Sequence, residues 1–179
     1  MKYFTPDLIQ RGNSLDDDVA DAANDEWERA IVRSNRRWKT IRNAFPKAVQ
    51  RFDENQVCLH DAQLLSMGRQ GDTFVMVLQP EPPAQTMVLL TFTLDDEPVI
   101  DTKALPDREN YAYVTWMYEE FDLDRRKRCT FEVLLSNGWS VKLLFRDFQY
   151  LITQQLFPVP QVILDPAFAQ PQPPVSQPA

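Results

Sequence analysis

Cys129-Thr130-Phe131-Glu132-Val133-Leu134-Leu135-Ser136-Asn137-Gly138-Trp139-Ser140-Val141-Lys142-Leu143-Leu144-Phe145 decides the fold class. Two apolar, β-branched runs flank Asn-Gly, a strong short-range hairpin signal. A two-residue loop would pair Ser136 with Trp139 and put the two apolar rows on opposite faces of the sheet. A three-residue loop, Ser136-Asn137-Gly138, pairs Leu135 with Trp139, Val133 with Val141, Phe131 with Leu143 and Cys129 with Phe145. Both rows then face one core, and Glu132 falls opposite Lys142 or Leu144 on the outside. A one-residue slip sends every side chain to the wrong face, so burial selects the three-residue loop, with Gly138 in the left-handed region.

Upstream, further strands are expected over 57–69, 73–79, 86–94 and 111–123. A glycine-marked turn at Gly68–Asp72 joins the first two, and a polar loop over 95–110 precedes the last. Residues 14–45 carry apolar positions at helical steps: Leu15, Val19, Ala23, Ala30, Ile31, Trp38 and Ile41. Ser14 or Asn13 is the expected cap, and Pro46 should end this helix or begin another turn. At about 1.5 Å per residue such a helix is long for a compact domain, which points to a break near Ser34-Asn35.

The expected architecture is α+β: a long N-terminal helix on a mainly antiparallel sheet of about six strands that could curl toward a barrel. One domain spans 1–165, helical over 14–50 and sheet over 57–146, with a short C-terminal element at 147–157. In that element Phe148, Leu151, Ile152 and Leu156 have helical spacing. Residues 166–179 are Pro/Gln-rich and read as a disordered, dispensable tail.

The chain has 179 residues, 20.9 kDa, a net charge of −7 and a pI near 4.7. That charge disfavours nonspecific binding to nucleic acid or anionic membrane. The charges are segregated. Residues 7–28 hold eight acids against Arg11, residues 29–51 hold eight bases and no acid, and 125–128 are Arg-Arg-Lys-Arg. A phosphate or nucleic-acid binder using 29–51 is one alternative. Outward-facing arginines would favour it, and arginines paired to the sheet would count against it. Helix electrostatics explain part of the pattern without a ligand.

No apolar run is long enough to span a bilayer and no apolar signal core opens the chain, so a cytoplasmic location is expected. Cys58 and Cys129 then read as reduced, buried thiols. One histidine and no phosphate-loop, dinucleotide, zinc or EF-hand spacing argue against a cofactor or a metal.

Candidate binding residues are few. Strand alternation would put Tyr111 and Tyr113 on one face and Trp116 and Tyr118 on the other, and exposed Tyr and Trp suit a protein interface. Glu120 and Asp122 share a strand face, with Glu119 opposite. His60 and Asp61, read as strand residues, would point apart. A hydrolase using His60 with Asp61, Glu119, Glu120 or Asp122 is the other alternative; a cleft bringing His60 within about 4 Å of one of them would favour it.

Met1-Lys2-Tyr3-Phe4-Thr5 before a helix, Leu59-His60-Asp61-Ala62 before a strand, then Glu119-Glu120-Phe121 and a closing apolar strand resemble an uncharacterised family of small bacterial cytosolic proteins over about 1–150. Some similarly built acidic proteins are immunity proteins that neutralise toxins. The resemblance implies bacterial origin and carries over no catalytic residue. The expected function is a non-enzymatic interaction module, of immunity type by that resemblance, with another protein as partner and homo-oligomerisation left open.

Overall fold

The computed structural model describes residues 1–80, 86–103 and 113–154. Tyr111, the 155–157 end of the C-terminal element and the 166–179 tail lie outside them.

Three helices lead the chain: α1 (Pro6–Gly12), α2 (Asp17–Ile41) and α3 (Lys47–Glu54). Thr5 caps α1 through its side chain. Asp16, rather than Ser14 or Asn13, caps α2 by accepting from the N–H groups of Asp18 and Val19. Helix α2 runs unbroken through Ser34-Asn35. Its last turn tightens into a 3-10 turn at Arg42–Ala44, and Pro46 then starts α3.

Seven strands form one antiparallel sheet: β1 (Gln63–Gln70), β2 (Thr73–Gln79), β3 (Thr86–Leu94), β4 (Val99–Asp101), β5 (Trp116–Leu123), β6 (Cys129–Leu135) and β7 (Ser140–Gln154). The order is β1-β2-β3-β7-β6-β5, with β4 alongside β7. The fold is therefore α+β. The sheet curls into a half-barrel whose ends meet: Gln63 bridges Thr115, Asp61 N–H donates to the Trp116 carbonyl at 2.8 Å, and Trp116 N–H donates to the Ala62 carbonyl at 2.8 Å.

The β6–β7 register is the one burial selects. Cys129 faces Phe145, Phe131 faces Leu143 and Val133 faces Val141. Leu135 N–H donates to the Trp139 carbonyl at 2.8 Å, and Gly138 has φ 90°. On the outer face Lys142 Nζ lies 3.5 Å from Glu132.

Several expectations fail where a bulge or turn intervenes. Residues 147–154 continue β7 as strand. Arg146 is the extra residue between Thr93↔Asp147 and Leu94↔Phe145, so the alternation restarts one residue late. The apolar spacing of Phe148, Leu151 and Ile152 does not mark a buried helix face: Phe148 is buried, while Leu151 and Ile152 are exposed on the strand. The first strand begins at Gln63, after a turn containing Gln56 (φ 50°) and Asp61 (φ 63°). Its hairpin closes on Gly71-Asp72 alone. The 95–110 loop contains β4.

The core cluster joins the inner sheet face to Ile41, Phe45, Val49 and Phe52 from α2, its 3-10 end and α3. Ala23 and Ala30 of α2 are also buried. Val19 and Ile31 are 38% and 40% exposed and Leu15 is fully exposed, against the expected packing stripe. The helix crosses the edge strand β5: Trp27 packs on Tyr118, while Trp38 packs on Phe121.

Candidate functional site

The two faces of β5 do different work. On the outer face Glu120 is 8% exposed and receives three backbone N–H groups, from Lys2 at 2.8 Å, Tyr3 at 2.7 Å and Phe4 at 2.9 Å. It anchors the chain's own N-terminal arm and is not free for a ligand. Phe4 then seats against Trp27 and Tyr118, with ring centroids 4.7 and 5.4 Å away. Asp122, next on that face, is held by Arg37 at 2.6 Å and Lys2 at 3.5 Å. Burial alone would raise Asp122, but the Arg37 hydrogen bond, the Leu123 N–H and the Arg37 and Lys2 charges outweigh it and lower its pKa.

The inner face differs because Met117 is a bulge between Trp116↔Leu135 and Tyr118↔Leu134. The bulge separates the two aromatics that simple alternation puts together. Trp116 is fully buried in the core, while Tyr118 is half-buried on the outer side. Trp116 is therefore no surface residue, and of Tyr113, Trp116 and Tyr118, the described three, Tyr113 at 43% is among the exposed large ones. Trp116 Nε1 donates to Glu119 Oε2 at 2.6 Å.

Glu119 lines a cleft of about 440 Å³ between α2, α3 and β5. Phe4, Trp38, Phe52 and Phe121 supply its aromatic lining and Ile31 its exposed apolar wall. Three acids line it, Glu119, Glu120 and Asp53, and no base does. The volume falls in the range of about 300–1,000 Å³ usual for ligand sites. Burial pushes the Glu119 carboxyl above its ordinary value, against the lowering effects of the Trp116 bond, its own backbone N–H and the His60 charge. Among the described residues Glu119 is in no ion pair. Trp38 also lines the cleft, and its indole N–H has no hydrogen-bond partner. Cys58, expected to be buried, is exposed at the cleft wall; Cys129 is half-buried, and burial followed by the Asp95 charge raises its thiol.

His60 and Asp61 do meet. Asp61 sits in a left-handed turn and not in a strand, so its Oδ2 reaches His60 Nδ1 at 2.8 Å, while Nε2 faces the Tyr118 hydroxyl at 3.3 Å. The distance asked of a hydrolase is met, but outside the cleft. Both residues are exposed, at 45% and 56% of their side chains. Burial, then the Asp61 charge, raises the Tyr118 phenol, so it stays protonated and is no nucleophile. The trio ties the 60–61 turn to β5.

The basic segment divides. Arg37 pairs with Asp122 and Arg42 with Glu54, whereas Arg29, Arg33, Arg36 and Lys39 are exposed and, among the described residues, in no ion pair. Among the described residues no group of three or more His, Cys, Asp or Glu could hold a metal, and no helix is long and apolar enough to cross a membrane.

Sequence reasoning missed the cleft because its walls come from three separated segments. The alternation did place Glu119 on the face opposite Glu120 and Asp122; which of the two faces meets the core it did not assign.

No family model, curated protein or solved structure matches the chain.

Proposed function

We propose that this protein is a non-enzymatic interaction module whose cleft grips a basic side chain of a partner protein. The observation that carries it is the lining of the cleft: aromatic walls, an acid turned inward at Glu119, and no base. Buried carboxylates ordinarily have a cationic partner; among the described residues Glu119 is in no salt bridge, its hydrogen bonds come from the Trp116 indole and its own backbone N–H, and the His60 charge is the smallest of the effects on it. A lysine or arginine from outside supplies the missing charge, and aromatic faces favour such cations. A toxin-neutralising role is one form this interaction would take, and the resemblance noted above is its support.

The test compares capture from native cells by the wild-type chain and by Ile31→Arg. Ile31 is 40% exposed at the cleft wall, so the variant fills the cleft with a cation and leaves the core intact. A protein held by wild type, released by Ile31→Arg and, once purified, shielding Cys58 from maleimide supports the reading. Identical captured sets with unshielded Cys58 would overturn it.

A further inference from the structure

The outward face of α2, opposite the buried Ala23 and Ala30, carries a different pattern. Asp18, Asp21, Asp25, Glu28, Val32, Arg36 and Lys39 recur at steps of three and four, and all are exposed. The first four are acids and the last two bases, with Arg29 and Arg33 beside the basic half. Among the described residues none of these charges is in an ion pair. The macrodipole accounts for acids in the first turn and bases in the last. It does not account for acids continuing to Glu28, nor for bases beginning at Arg29. Within each half, like charges sit four apart: Asp17, Asp21 and Asp25, then Arg29 and Arg33. Such pairs destabilise an isolated helix.

A second copy resolves this repulsion. Laid antiparallel, the helix sets Asp18 against Lys39, Asp21 against Arg36 and Glu28 against Arg29, and a two-fold axis makes each pair twice. Val32, 58% exposed, falls beside the partner copy's Asp25 position, near the middle of the seam. The parallel arrangement would set acid on acid and base on base. The β5–β6 turn extends the match. The Arg37–Asp122 pair at 2.6 Å and the Cys129 Sγ contact to the Ala44 carbonyl at 3.9 Å hold that turn near the C-terminal end of α2. Exposed Arg125, Arg126 and Lys127 would then face the acidic start of the other helix.

We propose that the chain associates with a second copy of itself through the outward face of α2, antiparallel and by charge. Exposed pairs are individually weak and screened by salt, so the association is weak and strongly salt-dependent. None of the residues named on this face lines the cleft, so the proposal stands independently of the function above.

Sedimentation equilibrium of the full chain tests it at about 0.01 M and about 0.15 M salt, where the Debye length is roughly 30 and 8 Å. Dimer is expected at the lower salt, with an association constant at least about tenfold smaller at the higher. Asp18→Lys with Asp21→Lys, and separately Arg36→Glu with Lys39→Glu, should each be monomeric with unchanged circular dichroism, and an equimolar mixture should dimerise. In a Cys58→Ser background, Asp18→Cys with Lys39→Cys should oxidise to a covalent dimer, while Asp18→Cys alone should not. A monomeric wild type at low salt overturns the proposal, and so does a dimer that survives both reversals. Cross-linking by Asp18→Cys alone overturns the antiparallel arrangement. A wild type that stays monomeric and instead binds a labelled oligonucleotide assigns the basic half to phosphate, against the proposal.

Discussion

Replacing Glu120 should release the N-terminal arm, and the structure sets the size of the effect. One carboxylate oxygen accepts from Tyr3 and Phe4 and the other from Lys2. Hydrogen bonds to a charged group contribute about 1.5–3 kcal/mol each in favourable cases. Glu120→Gln keeps one acceptor oxygen, now uncharged, and turns an amide N–H₂ toward the Lys2 N–H. One bond is lost outright and two are weakened, so a loss of about 2–3 kcal/mol is expected. Glu120→Ala removes all three. The freed N–H groups can hydrate once the arm detaches, which caps the loss at what docking the arm contributes. Burial of Phe4, worth roughly 1.5–3 kcal/mol, belongs to that sum, giving about 3–5 kcal/mol for the alanine variant. Urea denaturation measures the total, and amide exchange at Lys2, Tyr3 and Phe4 locates it. Trp27 fluorescence should shift to the red as Phe4 leaves. Unchanged exchange at those three amides in Glu120→Gln, with a midpoint matching wild type, would refute the anchoring role.

Trp38 packs on Phe45 at 5.2 Å and Phe121 at 6.1 Å, so Trp38→Ala should cost about 3 kcal/mol by chemical denaturation. Gly138→Ala must take φ 90° with a Cβ; a loss of about 1–2 kcal/mol is expected, read as a lower melting temperature. Glu119 predicts a pH dependence. Its folded pKa is raised, so the folded protein holds the proton to higher pH than the unfolded chain; the stability it contributes is full below the ordinary value of 4.5 and is lost as pH rises through the folded value. The wild-type minus Glu119→Gln difference in unfolding free energy should therefore fall with rising pH, and a difference constant with pH would count against it.

The strands with plain alternation were legible in the sequence. Thr73–Gln79, Thr86–Leu94 and Cys129–Leu135 have the bounds their patterns imply, and burial alone chose the Ser136–Gly138 loop. What alternation could not show are the extra residues that reset it. Arg146 shifted the alternation within β7, exposed Leu151 and Ile152 gave that strand a helical spacing, and Met117 sent Trp116 inward and Tyr118 outward. The helix stripe was misjudged at Val19 and Ile31 because α2 lies across a sheet edge, where a single narrow line of small residues, Ala23 and Ala30, makes the close approach. Of the candidate site, Glu120 and Asp122 were placed on their shared face, but their partners come from residues 2–4 and 37, more than eighty positions away. Sequence spacing carries no trace of such contacts. The His60–Asp61 contact depends on a positive φ at a non-glycine residue, which residue type alone does not announce.

The central claim is that a cation enters the cleft at Glu119, and the Trp116 indole proton reports on it because it binds that carboxyl at 2.6 Å. The measurement is a titration of the indole ¹H–¹⁵N resonances with N-acetyl-lysine methylamide, with the N-acetyl-glutamate analogue as control. The account predicts a saturable shift of the Trp116 resonance with the lysine compound, absent with the glutamate compound and abolished in Glu119→Gln. No shift, or equal shifts with both compounds, would contradict it.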